Sequence, residues 1–307
     1  MKKSLKILSF VLATILFAKA AQSQNCDLKP EEIPDLKKMT LIVETQSEAM
    51  NTWFSEFWTF NTKIEFKTKE DIFKLKKTKN DNILVLGVFD QETHYTNQLG
   101  KQQDGPLMRL IGIVYLDDYT AVKHRNAVSK LITSVYAPYN ENLEKEVLIF
   151  FKERTEMKPY EFKLSVKILA NLLNAIEKDQ IKNYKATKFA RDQADKYCEQ
   201  INSKEIFFDK DLLKNPNDIN ELKRNKKIKV ILADAQKIAE IVDNEEDVLV
   251  TFSAPYGNLA DYLYYIKTLI NAKTGVIYYE SGVKHIGVWP GSSFTKSNLK
   301  DIVDCIQ

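Results

Sequence analysis

The chain has 307 residues, 44% of them hydrophobic and 11% aromatic, with 45 basic and 42 acidic residues, three histidines and three cysteines. That composition excludes wholesale disorder and leaves room for one large or two medium domains. Forty of the basic residues are lysine and only five are arginine, scattered among acids, which argues against a nucleic-acid partner.

The first segment reads MKKSLKILSFVLATILFAKAAQSQ. Lys2, Lys3 and Lys6 form a positive start, Ile7 to Phe17 is an uncharged run, and Ala18-Lys19-Ala20 and Ala21-Gln22-Ser23 offer cleavage sites. This is the layout of a secretory signal peptide over residues 1–23, too short for a span of about 20 apolar residues. The residues before Cys26 are polar, which speaks against lipidation. Without the leader the 45 basic residues fall to 41 against 42 acidic ones, so the basic balance belongs largely to the leader. Outside the cytoplasm a disulfide is permitted, and Cys26 with Cys305 would tie the ends together.

Residues 36–120 predict a first α/β lobe. Leu41-Ile42-Val43-Glu44 is a short strand, Thr45 to Glu48 reads as a capping box, and Trp53, Phe54, Phe57 and Trp58 form a helical stripe expected in the core. Ile64 and Phe66 alternate as in a half-buried strand, a helix from Thr68 buries Ile72, Phe73 and Leu75, and Ile83 to Leu86 is a continuous apolar strand. A polar loop, Asp90 to Pro106, precedes a strand from Met108 to Leu116, and Asp117-Asp118 opens the next helix as a cap.

Residues 121–203 predict a helical insert. Its stripes are Ala121, Val128, Leu131, Ile132 and Val135; Leu143, Val147, Leu148, Phe150 and Phe151; Phe162, Val166, Leu169, Leu173 and Ile176; and Ala186 through Ile201.

Residues 204–307 echo the first lobe. Ile206-Phe207-Phe208-Asp209 answers Leu41 to Glu44, Asn215-Pro216 offers a helix start, and Ile228 and Val230 answer Ile64 and Phe66. Ile238, Ile241 and Val242 answer the second helix, and Val248 to Val250 the third strand, at an offset of 164 to 166 residues. The fold expected is therefore α/β (α+β): two related βαβαβ-type lobes, the second ending in an antiparallel hairpin. That hairpin turns at NAKTG, with Gly275 in the left-handed region. The turn and its flanking tyrosines resemble the hairpin of PepSY-type secreted modules, where a D/N-A-x-T-G turn joins two strands. The resemblance covers this hairpin alone and implies an exported α+β module without carrying a function. A strand from Val283 to Trp289 and a helix from Lys296 close the chain.

Candidate chemistry is sparse. His94 follows a strand end, near Asp90 and Glu92, but D-Q-E-T-H lacks metal-ligand spacing. His124 falls on an apolar stripe and His285 alternates within a strand. Glu44 and Asp209 hold matching strand ends and would meet as acid and base only if the lobes faced each other. No metal or cofactor motif is present, and no G-x-S-x-G elbow. Tyr256, Tyr262, Tyr264 and Tyr278 mark a tyrosine-bearing sheet face suited to a protein interface. The expectation is an exported, non-enzymatic binding or assembly module of the bacterial cell envelope, periplasmic or secreted, with an envelope protein as partner. The alternative is a hydrolase drawing on Asp90 and His94 from one lobe and Asp209 or Asp261 from the other. Ligand capture between the lobes without turnover is a third.

Overall fold

The computed structural model describes residues 28–45, 47–75, 82–91, 94–96, 102–104, 108–124, 130–137, 157–179, 186–225, 227–259, 262–281 and 293–306. A short helix α1 (Ile33–Lys38) leads into β1 (Thr40–Glu44), α2 (Glu48–Phe57), β2 (Lys63–Lys67), α3 (Lys69–Leu75) and β3 (Ile83–Gln91). The expected cap of α2 moves by two residues. Ser47 accepts from the Met50 N–H at 3.3 Å, while the Thr45 N–H is held by the Lys67 carbonyl and its hydroxyl pairs with Asn51. Thr45 thus still belongs to the strand ladder and cannot cap.

A hairpin of β4 (His94–Thr96) and β5 (Gln102–Asp104) stands within the expected polar loop. Then come β6 (Met108–Tyr115), α4 (Leu116–His124) and β7 (Thr133–Tyr136). The last is a correction: part of the apolar stripe read as helix is a strand. Leu131 joins the core on one side of the sheet and Val135 that on the other, and the β-branched pair Thr133 and Val135 suits a strand. The stripe from Leu143 to Phe151 lies outside the described residues. Helix α5 (Pro159–Asp179) follows, with Phe162, Val166, Leu169, Leu173 and Ile176 all buried, then α6 (Ala186–Tyr197).

The second unit comprises β8 (Glu205–Asp209), α7 (Asn220–Arg224), β9 (Lys229–Ala233), α8 (Ala235–Asp243), β10 (Leu249–Leu259), β11 (Tyr262–Asn271), β12 (Ile277–Glu280) and α9 (Lys296–Cys305). Asn215 accepts from the Asn217 N–H ahead of Pro216, and Asp234 caps α8 through the Lys237 N–H at 2.9 Å. Gly275 has φ 70, and its N–H donates to the Asn271 carbonyl at 2.8 Å, as the expected hairpin turn requires.

The two five-stranded sheets have one topology. Their orders are β2-β1-β3-β6-β7 and, from the other edge, β9-β8-β10-β11-β12. In each, the first strand is parallel to both neighbours and the last two strands are antiparallel. Strand β11 is therefore the counterpart of β6.

How the units stack follows from which face each helix covers. The inner core contains Phe54 of α2, Leu169 of α5, Phe189 of α6 and Ile238 of α8, together with Leu84 and Val250 from the two sheets. Ile72 of α3 and Tyr119 of α4 cover the far face of the first sheet. Leu222 of α7 and Leu299 of α9 cover the far face of the second. The first crossover helix thus faces inward in unit one and outward in unit two, so the units stack front to back. Helix α5 lies between the sheets, and this explains why it is buried over most of its circumference, Glu161, Ser165 and Lys167 included. It follows β7 as α9 follows β12, so the expected insert divides: β7 and α5 complete the first unit, and α6 connects the two. One continuous core fills the junction. Among the described residues no helix is long and apolar enough to cross a membrane.

Cys305 pairs with Cys198, their Cα atoms 5.7 Å apart, within the reach of a disulfide. The expected bridge from Cys305 to Cys26 is corrected: α9 packs over the 3-10 turn after α6, which brings Cys198 to Cys305, and Cys26 lies outside the described residues.

Candidate functional site

In each sheet the chain leaves the first strand toward opposite neighbours, and the carboxyl end of such a strand is where open α/β sheets place ligands. Glu44 ends β1 there and Asp209 ends β8. Glu44 projects into the outer layer. Its Oε2 accepts from the Tyr119 hydroxyl at 3.0 Å and lies 2.8 Å from Lys123 Nζ. Lys123 also donates to the Val88 carbonyl at 2.6 Å. A Cβ on Gly87 would stand 2.9 Å from Glu44 Oε2, so only glycine leaves the carboxylate its place. Burial, reinforced by Glu44, pushes the Tyr119 hydroxyl far above its usual range.

Asp209 projects the other way, into the middle layer. It shares a face with Phe207, and its register partner Ala233 lies in the inner core. Its Oδ1 accepts from the Asp211 N–H at 2.9 Å, and its own N–H donates to Thr251 Oγ1. Burial raises the carboxyl, opposed by the Asp211 hydrogen bond and by Lys158. The first sheet therefore separates Glu44 from the middle layer that Asp209 enters. The condition under which these acids would meet across a cleft, lobes facing each other, is not met, because the units stack front to back.

The remaining candidates do not gather into one constellation among the described residues. Asp90 accepts from Arg109 Nε at 3.1 Å across the β3–β6 pair. Among the described residues Asp209 interacts with Asp211, Thr251, Lys158, Lys210 and Tyr160, and Asp90 is not among them. Asp261 and His285 lie outside the described residues, as do the side chains of His94, His124, Tyr256, Tyr262 and Tyr264. Tyr278 is buried and packs against Tyr197 at 5.6 Å between ring centroids, which removes it from any docking face. The aromatic stripe of α2 is core as expected, with Trp53 stacked on Phe57 and Phe54 on Trp58. No group of three histidine, cysteine or acidic side chains among the described residues could hold a metal ion.

The residues that sequence reasoning missed are on β9. Among the described residues this strand is the edge of the second sheet and pairs only with β8. Ile231 is 43% exposed and Leu232 41%, on opposite faces of the strand. An exposed apolar edge is a template for another strand, which proteins normally guard with charge. The first unit does so. In the shared register Glu65 of β2 corresponds to Ile231, and Lys63 to Lys229. Glu65 lies 3.0 Å from Lys63 and 3.1 Å from Lys67, which hold its carboxyl below the usual range. On β9 the acid is replaced by isoleucine, and Lys229 stays exposed and unpaired among the described residues. The signal was present in KVILA beside KIEFK, but only the sheet order reveals β9 as an edge.

No protein-family model matches the chain, and neither curated proteins nor solved structures yield a match.

Proposed function

We propose that this is an exported, non-enzymatic binding module of the cell envelope whose docking element is the edge strand β9. The observation that carries the reading is the contrast between Ile231 and its guarded counterpart Glu65. Two copies of one topology share the same edge position, so the apolar exposure is not a requirement of the fold. Export is supported by the leader sequence and by the Cys198–Cys305 disulfide, which persists in oxidising compartments. The candidate acids are engaged in structural roles: Glu44 with Lys123 and Tyr119, Asp90 with Arg109, Asp209 at a turn.

The test is a photo-crosslinking residue placed at position 231 and, as control, at position 65, in protein exposed to an envelope extract. A discrete adduct from 231 and none from 65 is expected. Equal adducts, or none from either, would count against the reading.

A hydrolase using loop carboxylates and a histidine in a cleft between the lobes retains one favouring observation, the burial of Asp209 at a strand-end position, which would raise its carboxyl. It requires a hydrolytic activity that Asp209→Asn abolishes while the fold persists.

A further inference from the structure

Resting on the binding reading above, we propose that β9 accepts an extended acidic segment of a partner protein as a sixth strand, with an apolar side chain against Ile231 and a carboxylate against Lys229. Among the described residues the outward backbone groups of β9 have no neighbouring strand, and main-chain hydrogen bonds supply affinity in this mode of recognition while alternate side chains supply specificity. Lys229 and Ile231 are two residues apart and share one face of the strand. A strand laid beside them must therefore carry its acid and its apolar residue at the same spacing, the pattern that cross-strand pairing rewards.

Charge selects the acidic partner. Lys227 and Lys229 are both exposed, and neither forms an ion pair among the described residues. In the first unit the same lysine position is neutralised within its own strand by Glu65. Leu232, exposed on the opposite face, offers the second apolar contact. A second copy of this chain fits less well. Antiparallel self-pairing centred on Ile231 sets Lys229 against Ala233, which offers no countercharge.

The experiment uses the mature full chain and fluorescence anisotropy with a labelled octapeptide of alternating valine and glutamate. Saturable binding is expected, weakening as salt rises, with the peptide of alternating valine and lysine at least tenfold weaker. Ile231→Glu installs the residue the first unit carries at this place, so it should fold normally by circular dichroism yet lose binding by tenfold or more. Equal binding by that variant, equal binding of the lysine peptide, or no binding by the native chain would each overturn the proposal. So would a dimer in sedimentation that Ile231→Glu dissolves, since a second copy would then be the occupant. Recovery of one envelope partner by native and Ile231→Glu chains alike would sink the β9 assignment while leaving the binding reading intact. Recovery by neither would sink both.

Discussion

Lys167 and Gly275 are packed backbone to backbone: the Cβ of Lys167 occupies the space that any side chain on Gly275 would need. Helix α5 thereby sits directly beneath the β11–β12 turn. Lys167 Nζ donates to the Ala272 carbonyl at 2.8 Å and lies 3.3 Å from Glu245, although its side chain is fully buried. With φ at 70, Gly275 is in the left-handed region as well. Gly275→Ala combines that strain with a steric overlap, and a loss on the order of 2–4 kcal/mol is expected. Urea denaturation checks it; a loss no larger than that of a surface substitution would refute the contact.

Lys267 predicts a pH dependence. It is 3% exposed on β11, and burial pushes its amine from the ordinary 10.5 down to about 8. At neutral pH both states hold the proton and the folded state carries the whole penalty. Between about 8 and 10.5 the unfolded chain keeps a proton that the folded chain has lost, so this group's contribution to stability rises with pH. Lys267→Met should therefore stabilise near pH 7 by on the order of 3 kcal/mol, an advantage that fades towards pH 10.5. Melting curves of both proteins across that range give the answer, and a constant difference would exclude the assignment.

Glu44 and Lys123 are nearly buried, their side chains 13% and 12% exposed. Glu44→Gln strands the lysine charge and should cost ~3 kcal/mol, as should Lys123→Met for the carboxylate. The double variant should recover much of the loss, because both desolvation penalties vanish together. Strict additivity in a double-mutant cycle would contradict the pairing.

The disulfide gives a chemical readout. Cys198→Ser or Cys305→Ser should lower stability by up to ~5 kcal/mol, the chain-entropy value for a closed loop of about 100 residues. Of the three cysteines, only Cys26 should react with a thiol reagent in the unreduced, denatured chain. Thiol reactivity at Cys198 or Cys305 would show the bond absent.

Asp209 permits a sign test too. A carboxyl raised by burial costs stability above its folded pKa and not at acid pH, where both states are protonated. Asp209→Asn keeps an acceptor for the Asp211 N–H, so it should stabilise at pH 7 and make little difference near pH 3. A variant less stable at pH 7 would mean that the carboxylate has a partner beyond the turn.

Strand by strand, much of the architecture was legible. Leu41 to Val43, Ile83 to Leu86 and Val248 to Val250 announced covered strands by continuous apolar runs, and Gly275 announced its turn. The strand at Thr133 to Tyr136 was missed because Leu131, Ile132 and Val135 also fit a helical stripe. Cys198 was not recognised as the partner of Cys305, since pairing depends on packing more than a hundred residues away. Glu44 and Asp209 were matched in position, but whether the lobes bring them together depends on the stacking, which no local pattern records.

The sequence by itself determined most of the elements, their buried faces and their repetition, because hydrophobic periodicity is a local property of each segment. Only the tertiary structure decided what those faces meet. Front-to-back stacking sends Glu44 outward and Asp209 inward, and it turns α5 into the shared centre of two sheets. Being last in its sheet makes Ile231 and Leu232 exposed where the same residues in a central strand would be core. Burial depends on neighbours brought from far along the chain, and no local pattern records which neighbour will be absent.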